Sequence, residues 1–99
     1  MKKNIDEKTK RKIIALISAL VPEATIYLFG SRATDKHSEW SDIDIALDAG
    51  KKIFFVKIGE IIDVLAGTDI PYKIEVVDFH DIPESMQKSI LKEGIIWKK

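Results

Sequence analysis

The alternating segment Asp42-Ile43-Asp44-Ile45 constrains the fold of this chain more than any other part of its sequence. Successive side chains of a β-strand point to opposite faces, so a strand here places both aspartates on one face and both isoleucines on the other, toward a core. Adjacent carboxylates repel each other and raise one another's pKa unless a cation or water relieves the repulsion. The segment therefore predicts a cation-binding strand or, alternatively, a strand whose acids only face solvent.

A Gly30-Ser31 pair ends the apolar run at residues 25–29, and its serine lies eleven residues before Asp42. Glycine lets the backbone approach a phosphate closely, and successive amides together with the serine hydroxyl can bind an anion. Magnesium prefers hard oxygen ligands and commonly takes one or two carboxylates together with substrate phosphates. The turn and the acids together predict a nucleoside triphosphate held through Mg²⁺.

In this order and spacing, the residues resemble the minimal nucleotidyltransferases of the DNA polymerase beta superfamily. The resemblance extends from the run at 25–29 through residues 30–33 and 41–46 to the segments 73–79 and 92–94. It implies the nucleotidyltransferase fold and ATP as the nucleotide. The residues that it assigns to the site are Asp42, Asp44 and Glu75 as catalytic and Mg²⁺-binding acids, and Gly30, Ser31 and Arg32 as nucleotide-binding residues.

Two positions depart from the family pattern. Relatives often continue Gly-Ser-Arg-Ala with Arg-Gly, whereas this chain has Thr34-Asp35, which removes one phosphate-facing cation and adds an acid. The third acid is generally an aspartate, and the matching residue here is Glu75, which is still an oxygen ligand but is alternatively a surface acid at the start of its strand. Asp78 matches a later aspartate of the pattern, and strand parity predicts a strand-end or turn acid on the face opposite Glu75.

Four other polar or aromatic residues have less specific contexts. Arg32 is expected either to contact phosphate or to pair with an acid at position 35 or 39. His37 and His80 are predicted loop histidines, because no second histidine or cysteine lies at the spacing of a zinc site. Trp40 is predicted to pack against the protein or, because it is close to the acids in sequence, to border the nucleotide pocket.

Apolar residues at helical spacing predict three helices. The first begins at an Asn4–Glu7 capping box and ends before Pro22. The second closes at Gly67, and the third has an Asp81–Glu84 capping pair and ends at Gly94. The residues expected to face the core are Ile13, Leu16, Ile17 and Leu20 in the first helix, Phe54, Ile58, Ile61, Ile62 and Leu65 in the second, and Met86, Ile90 and Leu91 in the third.

Strands are predicted at residues 25–29, 42–47 and 74–79, with a short edge strand at 95–97. The alternation of strands and helices implies an α/β (α+β) fold, in which helices cover one face of a small mixed β-sheet. Without an internal repeat or linker, residues 1–99 are predicted to form a single domain.

Composition limits the classes of partner. The 99 residues contain no cysteine, which excludes disulfides, thiolate metal sites and a cysteine nucleophile. Sixteen Lys and Arg residues balance 16 Asp and Glu residues, so an extended nucleic acid is not expected as a partner. No apolar stretch approaches the roughly 20 residues that span a bilayer, and the start at residues 1–7 is charged, so no membrane association and a cytoplasmic location are expected.

The resemblance also implies a function and a partner. So short a chain holds the catalytic layer but no acceptor-binding domain, so we expect a hetero-oligomer in which another protein supplies that surface. Minimal nucleotidyltransferases of this kind are commonly paired with a HEPN-domain toxin and, as its antitoxin, add AMP from ATP to one of its tyrosines. The alternatives are a transferase acting on a small molecule or an RNA end with another subunit, and a non-enzymatic antitoxin or nucleotide-binding module.

Overall fold

The structure is a computed structural model that describes residues 4–99, so the first residues of the charged start lie outside the described part. Within residues 4–99 it contains three α-helices and four β-strands. In chain order these elements are α1 (Glu7–Leu20), β1 (Thr25–Phe29), β2 (Ile43–Asp48), α2 (Phe55–Ala66), β3 (Ile74–Asp78), α3 (Glu84–Glu93) and β4 (Ile95–Lys98). Short 3-10 turns follow β1 at Gly30–Ala33 and β3 at Phe79–Asp81.

The strands form one mixed sheet in the order β3-β2-β1-β4. Strand β1 pairs antiparallel with β2 and with β4, whereas β2 and β3 are parallel. A parallel pair needs a crossover connection, and α2 supplies it. The predicted mixed sheet and its edge strand at the C-terminal end are confirmed, while β2 begins one residue later and β3 ends one residue earlier than predicted.

Helices cover both faces of the sheet, so the prediction that they cover one face is wrong. Helices α1 and α2 pack on the face that contains Ile43, Ile45 and Leu47. Helix α3 packs on the opposite face, where its Ile90 meets Ala46 of β2. The physical reason is that consecutive residues of β2 are apolar and fully buried, and a strand of this kind needs cover on both sides.

Four apolar residues that were predicted to face the core are exposed instead. Leu91 and Ile62 each follow a buried residue, and one helical step rotates a side chain by about 100° away from the sheet. Phe54 lies before α2 begins and is 74% exposed. Met86 is also exposed, at the edge of a pocket described below.

The helix starts also differ from the prediction. Asp6, not Asn4, caps α1, because its carboxylate accepts a hydrogen bond from the Thr9 amide at 3.3 Å. Asp81 does not cap α3 and instead forms an ion pair with Lys52 at 3.1 Å. Within residues 4–99, none of the helices is both long and apolar enough to cross a membrane.

Candidate active site

The starts of β2 and β3 bring the three predicted acids to one end of the sheet. Asp44 is the register partner of Glu75 in the parallel pair, and Asp42 directly precedes β2. The Ile43 amide donates a 2.9 Å hydrogen bond to the Lys73 carbonyl, which fastens the two strand starts together. Backbone pairing of β2 with β3 therefore positions Asp44 and Glu75, and Asp42 lies directly beside that pairing.

The acids lie on the sheet face that α3 covers. Asp44 has the same strand parity as Ala46, and Glu75 has the same parity as Val77, and both apolar residues belong to the core under α3. Because parity fixes the face of a strand side chain, the carboxylates point to that side at the open end of the sheet.

The charges of the acids interact. Burial raises the pKa of Asp44 above its ordinary value of 3.8, and the negative charges of Glu75 and Asp42 raise this pKa further. The repulsion predicted from the alternating sequence therefore acts on Asp44. A bound cation would relieve it.

The donor atoms of this acid group suit magnesium. Across the described residues 4–99, side chains do not gather into a complete cluster of three or more metal ligands. The nearby donors are nevertheless hard carboxylate oxygens, and magnesium usually binds one or two carboxylates and takes its other ligands from water and substrate phosphates. The oxygen donors of Asp42 and Asp44 therefore fit the ligand preference of magnesium.

Gly30 lies directly against Asp44. Its φ is +74°, a conformation that side-chain-bearing residues rarely adopt, and a Cβ atom added there would collide with the Asp44 carboxylate. In the register of the sheet, Asp44 is opposite Phe29, the last residue before the turn. The glycine therefore allows the Gly30-Ser31 turn to approach the acids, as the sequence predicted for a site that holds phosphate beside carboxylates.

The Arg32 side chain is fully buried, at 1% exposure, and its hydrogen bonds are to other residues of the chain. Its guanidinium donates to the carbonyls of Ser41 at 2.9 Å and Glu39 at 3.2 Å, and to the Asn4 side chain at 3.2 Å. Its guanidinium carbon also lies 4.7 Å from the centre of the Tyr72 ring. Arg32 therefore holds the loop between β1 and β2, and its contact with the nucleotide stays a prediction.

The structure contradicts the ion pairs that were expected for Arg32. Within residues 4–99, none of the ion pairs joins Arg32 to Asp35 or Glu39. The guanidinium contacts Glu39 through its backbone carbonyl instead. A buried arginine can satisfy several carbonyls at once because its donors diverge from a rigid plane.

Glu75 and Asp78 have different surroundings on β3. Glu75 is exposed and pairs with Lys73 at 3.4 Å. Asp78 is buried at 6% exposure, and its carboxylate accepts hydrogen bonds from the amides of Ile53 at 2.7 Å and His80 at 3.0 Å. The expectation of a strand-end acid at Asp78 agrees with this geometry, which ties the end of β3 to the segment before α2.

The histidines and Trp40 do not join the acids. His37 is buried, with Nδ1 3.3 Å from the Thr34 carbonyl, and His80 contacts Asp48 at 2.6 Å. Trp40 is 85% exposed, so the prediction that it packs against the protein is wrong. Its position beside the predicted nucleotide site stays a prediction.

A pocket of about 400 Å³ lies between the Gly30-Ser31 turn and α3. Its size falls within the roughly 300–1,000 Å³ range of small-molecule sites. Lys36 lines it after the turn, and Ser89 and Glu93 line it from α3. Sequence reasoning missed these residues, because only the folding of α3 onto this face places them beside the turn.

Asp44→Asn should raise the thermal unfolding temperature when divalent ions are chelated. A raised carboxyl pKa means that the ionised group destabilises the folded state, so this cost is present above the raised pKa and disappears below 3.8, where the carboxyl is protonated in both states. The gain should therefore be clear at pH 7 and vanish as the pH falls below 3.8. Asp63→Asn, an exposed acid on α2, is the control, and a loss of stability in Asp44→Asn at pH 7 would contradict the prediction.

The sequence of this chain resembles those of known proteins. A family model described as polymerase beta, nucleotidyltransferase, matches residues 11–98. The chain is 25% identical over 81 residues to a Haemophilus influenzae protein named probable protein adenylyltransferase MntA, and the match covers 82% of this chain and 71% of that protein.

Solved structures resemble the fold as well. A toxin–antitoxin crystal structure with AMP-PNP matches with a TM-score of 0.76 at 27% identity, covering 89% of this chain and 71% of that one. The structure of a tri-AMPylated Shewanella oneidensis HEPN toxin with its MNT antitoxin matches with a TM-score of 0.70 at 26% identity, covering 89% and 67%. A putative minimal nucleotidyltransferase matches with a TM-score of 0.69 at 19% identity over 90% of this chain and 92% of that one, which shows the fold alone.

Proposed function

This chain belongs to the polymerase beta nucleotidyltransferase family, and from that premise we propose that it transfers AMP from MgATP to a tyrosine of a HEPN-domain partner protein. The observation that carries the proposal is the position of Asp44. Its register partners are Phe29, directly before the Gly30-Ser31 turn, and Glu75 on β3. One carboxylate therefore lies between the proposed phosphate-binding turn and a second acid, an arrangement that suits nucleotidyl transfer.

The residues divide between binding and proton transfer. Ser31 and the Gly30 backbone would hold the β- and γ-phosphates. Nucleotidyltransferases of this family generally depend on a metal ion, and Asp42 and Asp44 would hold Mg²⁺, which neutralises phosphate charge and polarises the α-phosphate. The acceptor oxygen forms a bond to the α-phosphorus, and the bond from that phosphorus to the bridging oxygen breaks as pyrophosphate leaves.

Glu75 would act on the acceptor. Its carboxylate is the second acid next to Asp44, and its exposure leaves it open to a tyrosine hydroxyl from another protein. Taking the proton from that hydroxyl makes the oxygen a better nucleophile. The Lys73 ammonium lies 3.4 Å from the Glu75 carboxylate.

The proposed partner is inferred from the related proteins. The Haemophilus protein is named a probable protein adenylyltransferase, and the Shewanella complex holds an AMPylated HEPN toxin with its antitoxin. An acceptor on a separate protein also suits the open end of the sheet, where Glu75 is exposed. The chain would then act as the antitoxin of a hetero-oligomeric pair.

Intact-mass spectrometry tests the proposal. The chain would be incubated with ATP, Mg²⁺ and the HEPN-domain protein encoded beside it, and one or more AMP masses should appear on that partner. A partner in which the acceptor tyrosine is replaced by phenylalanine should gain one fewer. Absence of any AMP mass on the wild-type partner would contradict the transfer reaction.

One observation favours a second candidate, a non-enzymatic antitoxin. Lys73 already pairs with Glu75, so a persistent ion pair would keep the third acid from the acceptor. In that case the two proteins would form a stable complex and toxicity would be suppressed with no mass change. If they form no complex at all, a small-molecule or RNA-end acceptor becomes the better hypothesis.

A further inference from the structure

The pocket between the Gly30-Ser31 turn and α3 contains one basic side chain among its described lining residues, Lys36. We propose that Lys36 supplies the cationic contact to the β- and γ-phosphates of the bound nucleotide. This inference deepens the proposed function and rests on it, because it assumes that a nucleoside triphosphate binds beside the turn. In this structure the Arg32 guanidinium is engaged by the protein's own oxygens and Thr34 is neutral, which leaves Lys36 as the basic residue lining the pocket.

The need for a cation follows from the charges around the turn. A triphosphate would enter beside the carboxylates of Asp42, Asp44 and Glu75, which gather at the starts of β2 and β3 and repel its negative charge. A magnesium ion offsets part of this negative charge, but it cannot coordinate every phosphate oxygen at once. Sites that bind transferring phosphoryl groups therefore commonly add lysine or arginine side chains.

The arginine nearest in sequence is already occupied. The Arg32 guanidinium donates to two backbone carbonyls and one side-chain oxygen, and it is 1% exposed. Turning it toward a phosphate would leave those part-buried carbonyls without their hydrogen-bond donor, which costs free energy. Thr34 follows the turn as a neutral residue and adds no charge.

Lys73 is the other candidate cation, and the sheet places it too far away. It directly precedes β3, whereas Gly30 follows β1, and the strand order puts β2 between them. Two strand spacings amount to about 10 Å. Lys73 also pairs with Glu75, so it serves the acceptor side of the site.

The loop structure brings Lys36 back toward the turn. The Thr34 amide and hydroxyl both donate to the Ser31 carbonyl at 3.2 Å, and the Lys36 amide donates to the Thr34 hydroxyl at 3.3 Å. These bonds fold the chain so that Lys36 and Ser31 line the same pocket. Lys36 is exposed and takes part in none of the ion pairs found within residues 4–99, so its ammonium is available to an anion.

The acidic residue that lines the pocket, Glu93, lies on a different element from Lys36. Glu93 is the last residue of α3, while Lys36 belongs to the loop after the turn. A carboxylate repels phosphates but accepts hydrogen bonds from ribose hydroxyls or a base amine. The pocket therefore has one lining residue suited to the phosphates and one suited to the nucleoside.

Nucleotide binding by charge variants tests this proposal. Lys36→Met should weaken binding of MgATP by about tenfold, as expected for the loss of one charge-assisted contact, and should change AMP binding less than about twofold because AMP lacks the β- and γ-phosphates. Lys36→Arg should restore most of the affinity for MgATP. Isothermal titration calorimetry with MgATP and AMP measures both ligands on the folded protein.

Lys51→Met is the matched control, because it removes one exposed lysine near the other end of the sheet and should leave both affinities unchanged. Equal losses for MgATP and AMP in Lys36→Met, or a loss that appears in Lys73→Met and not in Lys36→Met, would overturn the role of Lys36 while leaving nucleotidyl transfer intact. If wild type binds no nucleotide, the proposed function fails and this inference fails with it.

Discussion

Asp42→Asn/Asp44→Asn should lower AMP transfer by on the order of a thousandfold or more, the largest effect that we expect from any change in this chain. The two amides keep the shape of the strand but remove the charges that would bind Mg²⁺. They should also abolish stabilisation by MgATP, which for wild type at about a hundred times the dissociation constant amounts to roughly 2.7 kcal/mol. Mass spectrometry of the partner measures the first effect, and thermal unfolding with and without MgATP measures the second.

The control for this variant removes two negative charges from positions outside the site. Glu23→Gln/Asp63→Asn changes two exposed acids that lie outside the site, so both transfer and ligand stabilisation should stay at the wild-type level. An equal MgATP-dependent shift in the site variant and in wild type would remove Asp42 and Asp44 from nucleotide binding.

Glu75→Gln should keep nucleotide binding but lower transfer by about a hundredfold or more, because it removes the proposed base without changing side-chain size. Asp78→Asn should do the reverse. It should leave transfer nearly unchanged and lower the free energy of unfolding by about 1–3 kcal/mol, since the buried Asp78 carboxylate accepts from the amides of Ile53 and His80.

Turnover with labelled ATP and denaturant unfolding of both β3 variants measure these opposite effects. A variant at Lys73, such as Lys73→Met, adds a further test, because the loss of its ion pair with Glu75 should change the rate of transfer without altering the fold. If Asp78→Asn abolished transfer while Glu75→Gln preserved it, the third acid of the site would be Asp78.

The strands and the acid positions could be predicted because they depend on local patterns. Alternation fixes which side of a strand Asp44 faces, and the Gly30-Ser31 pair requires a turn that only glycine allows at φ +74°. The family resemblance then assigned Glu75, and the register of β2 with β3 places it opposite Asp44. The predicted family and fold class are confirmed.

The errors concern contacts between segments that are distant in the sequence. The burial of Arg32 depends on Asn4 and on the folded loop that ends at Ser41, and nothing local to the arginine reveals either contact. Helical spacing likewise predicted that Leu91 faces inward, but α3 contacts the sheet along a narrow stripe that includes Ile90. Lys36 was missed for the same reason, because its pocket exists only after α3 covers the second face.

The mixed order of the sheet has a consequence for how the site assembles during folding. Strands β1 and β2 are antiparallel neighbours in sequence, so their pairing closes a short loop and brings Gly30 to Asp44 early. The parallel partner β3 can join only after α2 has crossed the sheet, and closing a longer loop carries a larger entropic cost. The nucleotide-binding half of the site should therefore form before the half that contains Glu75, so a partly folded chain would acquire phosphate contacts before it acquires its third acid.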